Sequence, residues 1–303
     1  MILCCGESLI DMLPRTSTGG EPAFAPVAGG AVFNTAIALG RLGAPAGYFG
    51  GLSTDLFGTI LSGALAASQV DSATCPRSDR PTTLAFVTLV DGHARYAFYD
   101  ENTAGRMLAE VDLPALGDDV TALFFGGISL VVEPCGDTYA ALCARAGERV
   151  VMIDPNIRPG FIKDEARYRA RLAAMLARAD IVKISDEDMA WLGTTPEALL
   201  DGGTALVLET RGAEGVLAVT ARGRIEVAAT RADVVDTVGA GDTFNAGLLA
   251  GLERDGLLTR AALRETDLEA LRPAVALGAR AAAVTVSRAG ANPPWLHELD
   301  TDA

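Results

Sequence analysis

The sequence predicts an α/β fold with a doubly wound, mostly parallel β-sheet, helices on both faces and a small β-sheet lid. Three observations predict it: apolar runs of strand length recur along the chain, amphipathic stretches separate several of them, and one strictly alternating stretch breaks the pattern. Parallel neighbours need long crossovers, and helical crossovers bury both faces of the sheet.

The first strand is expected at Ile2–Cys5. Its surroundings, "MILCCGESLIDML", are apolar but short, lack a basic leader and carry Glu7 and Asp11, so they read as a strand and not as a signal peptide. Further strand runs lie at 46–49, 121–125, 150–153, 180–184 and 205–208. Helical patterns, with apolar residues three and four apart, fall at 34–42, 57–68, 137–146, 165–177 and 242–256. The departure is at 84–90 and 94–99, two alternating runs joined across "DGHA" as a hairpin, to which "RTSTGGEPAFAP" adds a third, irregular and extended piece. Such a sheet has no helix of its own and must pack on the main domain, a ligand or a second subunit. The expectation is a single domain over 1–303 with a lid from about 14–27 and 82–104 inserted in it, and a homodimer formed through that lid.

Composition narrows the function. With 303 residues and 50% hydrophobic content the chain can bury a large core, while its net charge of -14 and pI near 4.6 argue against nucleic-acid or anionic-membrane partners. Five scattered cysteines without a C-x-x-C pair, and only two histidines, make a zinc cluster a poor reading and suit small core thiols in a reducing cytoplasm. No run of about 18 apolar residues is long enough to span a membrane.

Several motifs are missing: G-x-x-x-x-G-K-[ST], G-x-G-x-x-G after the first strand, H-E-x-x-H and G-x-S-x-G. Two glycine-bearing helix starts remain, "AGGAVFNTAIALGRLG" with Gly29 and Gly30, and "VGAGDTFNAG" with Gly239, Ala240 and Gly241. Each brings bare backbone close to a ligand, and in an open α/β sheet loops distant in sequence meet beyond the carboxyl ends of the strands. Asn34 suits the hydroxyls of a polyol, or caps its helix; Asp11 suits paired sugar hydroxyls, or satisfies turn amides. In "DPNIRP", Arg158 has the planar fork of a phosphate partner. Asp242 follows the second glycine run directly. Phosphoryl transfer needs donors for the equatorial phosphate oxygens and a base for the incoming hydroxyl, and the N–H groups of Gly239, Ala240 and Gly241 with the Asp242 carboxylate supply both.

Together, the "GG…N" helix start and "DTVGAGDTFNAG" resemble the two signatures of the ribokinase-like, PfkB-type sugar kinases, in the expected order and over about residues 1–294. The second signature is highly specific, the first moderately so. The resemblance implies a ribokinase-like fold, Asp242 as general base, residues 239–241 as an anion hole, and Asp11, Gly29, Gly30 and Asn34 as sugar contacts beneath a closing lid that carries Phe98. It implies ATP with Mg²⁺, and K⁺ held near Asp236 and "VSRAGA". "VLETRGAEG" looks like the family's nucleotide strand and turn, implicating Thr210, Gly212 and Gly215, and the helix "PAVALGARAAAV" like an adenine wall, although helix packing also explains its alanines. Where many relatives carry N-x-x-E, "KISDEDM" has Ser185 and Asp188, so Ser185 is assigned to the nucleotide and Asp188 to the metal's water shell, with Glu187 adjacent.

The stretches "DPNIRP", "KISDED" and "YAFYDENTAG" look most like fructokinases and the related 2-keto-3-deoxygluconate kinases. An acid sugar wants a cation in its pocket, and Asp100 and Glu101 follow the aromatic pair here. The expected activity is therefore ATP-dependent phosphorylation of a primary hydroxyl of D-fructose to the 6-phosphate, with Arg106 as the cation that would favour the acid sugar. Ribokinase and nucleoside kinase are the next alternatives. From other classes, a Rossmann oxidoreductase lacks its fingerprint, and a non-catalytic sugar sensor would lack the anion hole or Asp242.

Overall fold

The computed structural model describes residues 1–90 and 93–299, with side chains described outside 88–96. The chain begins with β1 (Ile2–Cys5), β2 (Leu9–Thr16), β3 (Pro22–Gly29), α1 (Ala31–Arg41), β4 (Ala46–Phe49), β5 (Leu52–Ser53), α2 (Leu56–Ala67), β6 (Arg77–Ser78), β7 (Leu84–Val90) and β8 (His93–Tyr99). It continues through β9 (Ala122–Gly126), α3 (Cys135–Ala144), β10 (Val150–Asp154), α4 (Glu165–Leu176), β11 (Ile181–Ser185), α5 (Asp186–Leu192), α6 (Pro196–Asp201) and β12 (Leu206–Thr210). Next come β13 (Val216–Thr220), β14 (Gly223–Val227), α7 (Ala240–Arg254), α8 (Arg260–Glu265), α9 (Leu268–Val286) and α10 (Leu296–Leu299).

The main sheet has the order β14-β13-β12-β11-β10-β9-β1-β4. From β12 to β4 all neighbours are parallel; β13 and β14 add an antiparallel edge. Strand alternation divides β1 between two cores: Ile2 and Cys4 join a layer with α1, α7 and α9, and Leu3 and Cys5 one with α3 and α4. This is the expected sheet with helices on both faces. All five cysteines are free and buried, and burial pushes each thiol up, as suits small core residues. No helix among the described residues is long and apolar enough to cross a membrane.

The chain reverses its winding direction at β1. From β1 the chain crosses outward to β4 and then returns past β1 to β9, so the crevice at the carboxyl ends of β1 and β9 is the switch point where such sheets take ligands. The helices α7 and α9 frame it through close contact of small residues: a Cβ on Gly247 would lie 2.6 Å from the Gly278 backbone, and one on Gly251 2.6 Å from that of Ala274. Helix packing thus accounts for these small residues of "PAVALGARAAAV".

The second sheet has four strands, β3-β2-β7-β8. The piece "RTSTGGEPAFAP" is not one extended segment but parts of two strands, because β2 begins at Leu9 and pairs antiparallel with β3 through Gly29. Within the expected link "DGHA", Asp91 and Gly92 lie outside the described residues. The register puts Asp11, Ala85 and Phe98 in one row on one face. Phe24, Phe86 and Tyr99 meet on the other in two edge-to-face contacts with centroids 5.1 and 5.5 Å apart.

Candidate active site

A cavity of about 980 Å³ opens at the switch point, bounded by the carboxyl ends of the parallel strands, the N-termini of α1 and α7, and the inner face of the four-stranded sheet. Of the residues singled out in the sequence, Asp11, Gly30, Asn34, Phe98, Arg106, Arg158, Gly239, Ala240, Gly241 and Asp242 line it. Gly29 lies one step behind, where a Cβ would come within 2.4 Å of Asp11 Oδ2.

Asp242 is the third residue of α7 and only 9% exposed. Its carboxylate does not cap that helix. Gly239 is the N-cap in a left-handed conformation (φ 79°), and a Cβ there would sit 2.7 Å from that of Ala291. Ala240 N–H is bonded to Thr237 O at 3.3 Å, whereas the N–H groups of Gly239, Gly241 and Asp242 have no protein acceptor among the described residues. The helix start therefore presents unpaired donors and the positive end of a dipole to the cavity. Asn34 Nδ2 donates to Asp242 Oδ2 at 2.9 Å. Burial pushes the Asp242 carboxyl up to about 7, Asn34 and Lys183 holding it down while Asp154 and Glu7 raise it.

Helix α1 starts at Ala31 with Gly30 (φ 111°) as N-cap, so Asn34 lies inside the helix and the capping alternative falls away. A Cβ on Gly30 would meet Glu7 O at 2.9 Å. Asp11 lies within β2, and among the described residues no backbone amide is bonded to its carboxylate, so the turn-amide alternative falls away; burial raises it to about 6. Phe98 packs edge-to-face on Phe161, centroids 4.5 Å apart, which makes an aromatic wall. Arg106 is ion-paired with Asp100 at 3.2 Å and donates Nε–H to Glu133 O; Asp100 also accepts from Thr83 and Thr103. Arg158 is exposed, donating to the neighbouring Ile157 carbonyl.

The remaining candidates do not line this cavity. Ser185 caps α5 by accepting Asp188 N–H, and the buried Asp188 accepts Ile157 N–H at 3.0 Å, bracing the loop after β10. Thr210, Gly212 and Gly215 form the end of β12 and the turn into β13, where a Cβ on Gly215 would meet Val227 O at 2.2 Å. Asp236 accepts from Val238 N–H and Gly290 N–H, which brings it against "VSRAGA" as expected.

Four site residues escaped sequence reading. Glu7 accepts Ala31 N–H at 2.9 Å and Ser129 N–H at 3.2 Å, joining α1 to the loop after β9, and burial raises its carboxyl. Asp154, Lys183 and Asn245 form a buried cluster beside α7, with Lys183 Nζ and Asn245 Nδ2 3.1 and 2.7 Å from Asp154 Oδ2. The two glycine runs pointed to backbone approach; nothing in a lone acid or lysine at a strand end marks it as facing a cavity. Among the described residues no three His, Cys, Asp or Glu side chains are placed to hold a metal ion.

The model of the pfkB family carbohydrate kinases matches residues 1–298. Among curated proteins, a fructokinase of Rhizobium leguminosarum bv. trifolii is 56% identical over 279 residues, covering 90% of this chain and 86% of the relative. The crystal structure of a Xylella fastidiosa fructokinase with bound ATP superposes with a TM-score of 0.89 at 30% identity, covering 99% and 97% of the two chains. A double mutant of a Vibrio cholerae O395 fructokinase, solved with fructose, ADP and a potassium ion, gives 0.83 at 26% identity over 96% and 93%. With a buried carboxylate and an open helix N-terminus facing one cavity, and a family match over nearly its whole length, the chain belongs to the pfkB family of carbohydrate kinases.

Proposed function

We propose that this protein is an ATP-dependent fructokinase that transfers the γ-phosphate to the C6 hydroxyl of D-fructose. The observation that carries the reading is Asp242, buried at the foot of α7, with a carboxylate turned to Asn34 and unpaired N–H groups beside it. A hydroxyl brought to Asp242 gives up its proton to a carboxylate whose affinity for it is raised well above that of an exposed aspartate. The N–H groups of Gly239, Gly241 and Asp242 then stabilise charge on the phosphoryl oxygens; removing one such donor typically costs on the order of 3 kcal/mol in barrier. Asp11 and Asn34 take sugar hydroxyls, with Gly29 and Gly30 keeping the backbone close and Phe98 walling the apolar face. Arg158 at the rim meets phosphate. The nucleotide extends along the carboxyl edge of the sheet toward Ser185, Thr210, Gly212 and Gly215.

Mg²⁺, which commonly keeps several of its waters, would reach Asp188 only through that water shell. Such an ion offsets the charge of the phosphates. K⁺ would bind at the Asp236 and "VSRAGA" loops. The Asp100–Arg106 pair favours fructose over 2-keto-3-deoxygluconate, because the cation an acid sugar needs is already neutralised. Phe24 and Tyr99, 45% and 63% exposed on the outer face of the four-stranded sheet, fit a homodimer through a lid that closes over the sugar. Five unpaired thiols fit a cytoplasmic enzyme.

The test is ADP release over a panel of fructose, 2-keto-3-deoxygluconate, ribose and nucleosides, with fructose 6-phosphate detected through coupled isomerase and dehydrogenase. Fructose-dependent turnover is expected. Turnover with the acid sugar alone would overturn the choice of sugar, and no turnover with any acceptor would overturn the kinase.

A further inference from the structure

We propose that Lys183 is a catalytic residue whose ammonium group donates to the transferring phosphoryl group, held in place by Asp154 and Asn245. The proposal rests on the kinase reading above and adds a charge to it. Lys183 lies in β11 between Val182 and Ile184, both packed in the core beneath α3 and α4, so alternation turns it to the opposite face, toward α7. There Nζ is 3.1 Å from Asp154 Oδ2, and Asn245 on α7 donates to the same oxygen at 2.7 Å. One of the three ammonium donors is used, and the other two have no acceptor among the described residues. The side chain lines the cavity, and a Cβ on Gly241 would lie 3.3 Å from Nζ. The ammonium therefore abuts the helix start that carries the unpaired N–H groups.

Stability alone does not account for this cluster. A buried ion pair is often matched by apolar residues of similar volume, and this one leaves Asp154 Oδ1 and Asn245 Oδ1 buried without partners among the described residues. Phosphoryl transfer supplies a reason for a fixed cation here. Charge spreads over three equatorial oxygens in the transition state, and backbone donors carry only partial charges. A full positive charge, already desolvated and anchored by a carboxylate, needs no reorganisation as the phosphoryl group moves.

The competing role is neutralisation of Asp154, and two variants separate them. Lys183→Met leaves Asp154 buried and uncompensated; Asp154→Asn with Lys183→Met removes both charges. In steady-state assays with ATP and fructose, both variants are expected to lose about 10²-fold or more in kcat with KM values changed only a few-fold. The double variant should regain the melting temperature the single one loses, yet not its turnover. A folded double variant with kcat within about threefold of the parent would overturn the proposal, as would a single variant of near-parental kcat. A parent chain that releases no ADP with any sugar would instead bring down the kinase reading, which the substrate panel detects separately.

Discussion

Replacing Asp242 by Asn should make the protein more stable at alkaline pH while abolishing its turnover. The magnitude follows from the carboxyl's position. Burial at the foot of α7 raises it from 3.8 to about 7, so between those values the folded chain holds a proton that the unfolded chain releases. Stability then falls as pH rises through this window, by about 1.4 kcal/mol per pH unit, and levels above 7 after a loss of about 4 kcal/mol. Asn stays neutral throughout and avoids the loss. The variant's advantage is expected to be about 1.5 kcal/mol at pH 5 and about 4 kcal/mol at pH 8, or roughly 6 °C in melting temperature for a chain of this size. Denaturant titrations at the two pH values measure it directly, with the slope compared to confirm the same unfolding reaction. Turnover with fructose should fall about 10³-fold or more. An Asn variant less stable than the parent at pH 8, or an advantage equal at both pH values, would refute the account of Asp242 as a carboxylate desolvated for its task.

Other expectations follow from the same contacts. The acid limb of kcat/KM should lie near pH 7, set by Asp242 among its facing groups Asn34, Asp154, Lys183 and Glu7; Asn34→Ala, which removes a donor to the carboxylate, should move the limb to higher pH, and a shift downward would contradict the bond. Gly239→Ala imposes a left-handed φ on alanine and a 2.7 Å contact with Ala291, and should cost about 1–3 kcal/mol by denaturant titration, against little change for Gly160→Ala, where a Cβ meets open space. Asp100→Asn releases Arg106, and inhibition by sugar acids should rise at least tenfold over the parent; no rise would remove the pair from substrate choice. Tyr99→Glu places a charge on the exposed aromatic row, and light scattering should report a monomer where the parent is a dimer.

Much of the scaffold was legible because burial on both faces forces continuous apolar runs. β1 and β4 match the expected bounds, and β9, β10, β11 and β12 lie within two residues of them. α1 begins three residues early because its cap is a backbone glycine with no side-chain signal. The antiparallel β13 and β14 were not resolved as an edge, and the turn between β2 and β3, marked by Gly19 and Gly20, was missed because the whole stretch was read as one extended piece. In the site, glycine runs revealed both helix starts and so Asn34 and Asp242, 208 residues apart yet hydrogen-bonded. Asp154, Lys183 and Asn245 were hidden because their meaning lies in a meeting of β10, β11 and α7 that no local spacing encodes. Asp188 was singled out by position in a motif; one of its carboxylate oxygens accepts Ile157 N–H and it does not line the cavity, so a part in the metal site would run through water.

The placement of Asp242 follows from a balance between opposing demands. An exposed aspartate is too weak a base to draw a proton from a hydroxyl, and a fully desolvated one would keep its proton at neutral pH. Here apolar burial, together with Asp154 and Glu7, raises the carboxyl, while Asn34 and Lys183 hold it near 7. Asp154 works on both sides, repelling Asp242 directly and anchoring the lysine that attracts it. The switch point of the sheet makes this possible, because β10, β11 and the N-terminus of α7 end in one crevice and bring two carboxylates, an ammonium and a helix dipole together. Asn34 lowers the carboxyl by more than Asp154 raises it, so a fold that buried Asp242 equally but lacked Asn34 would leave the carboxyl holding its proton to higher pH.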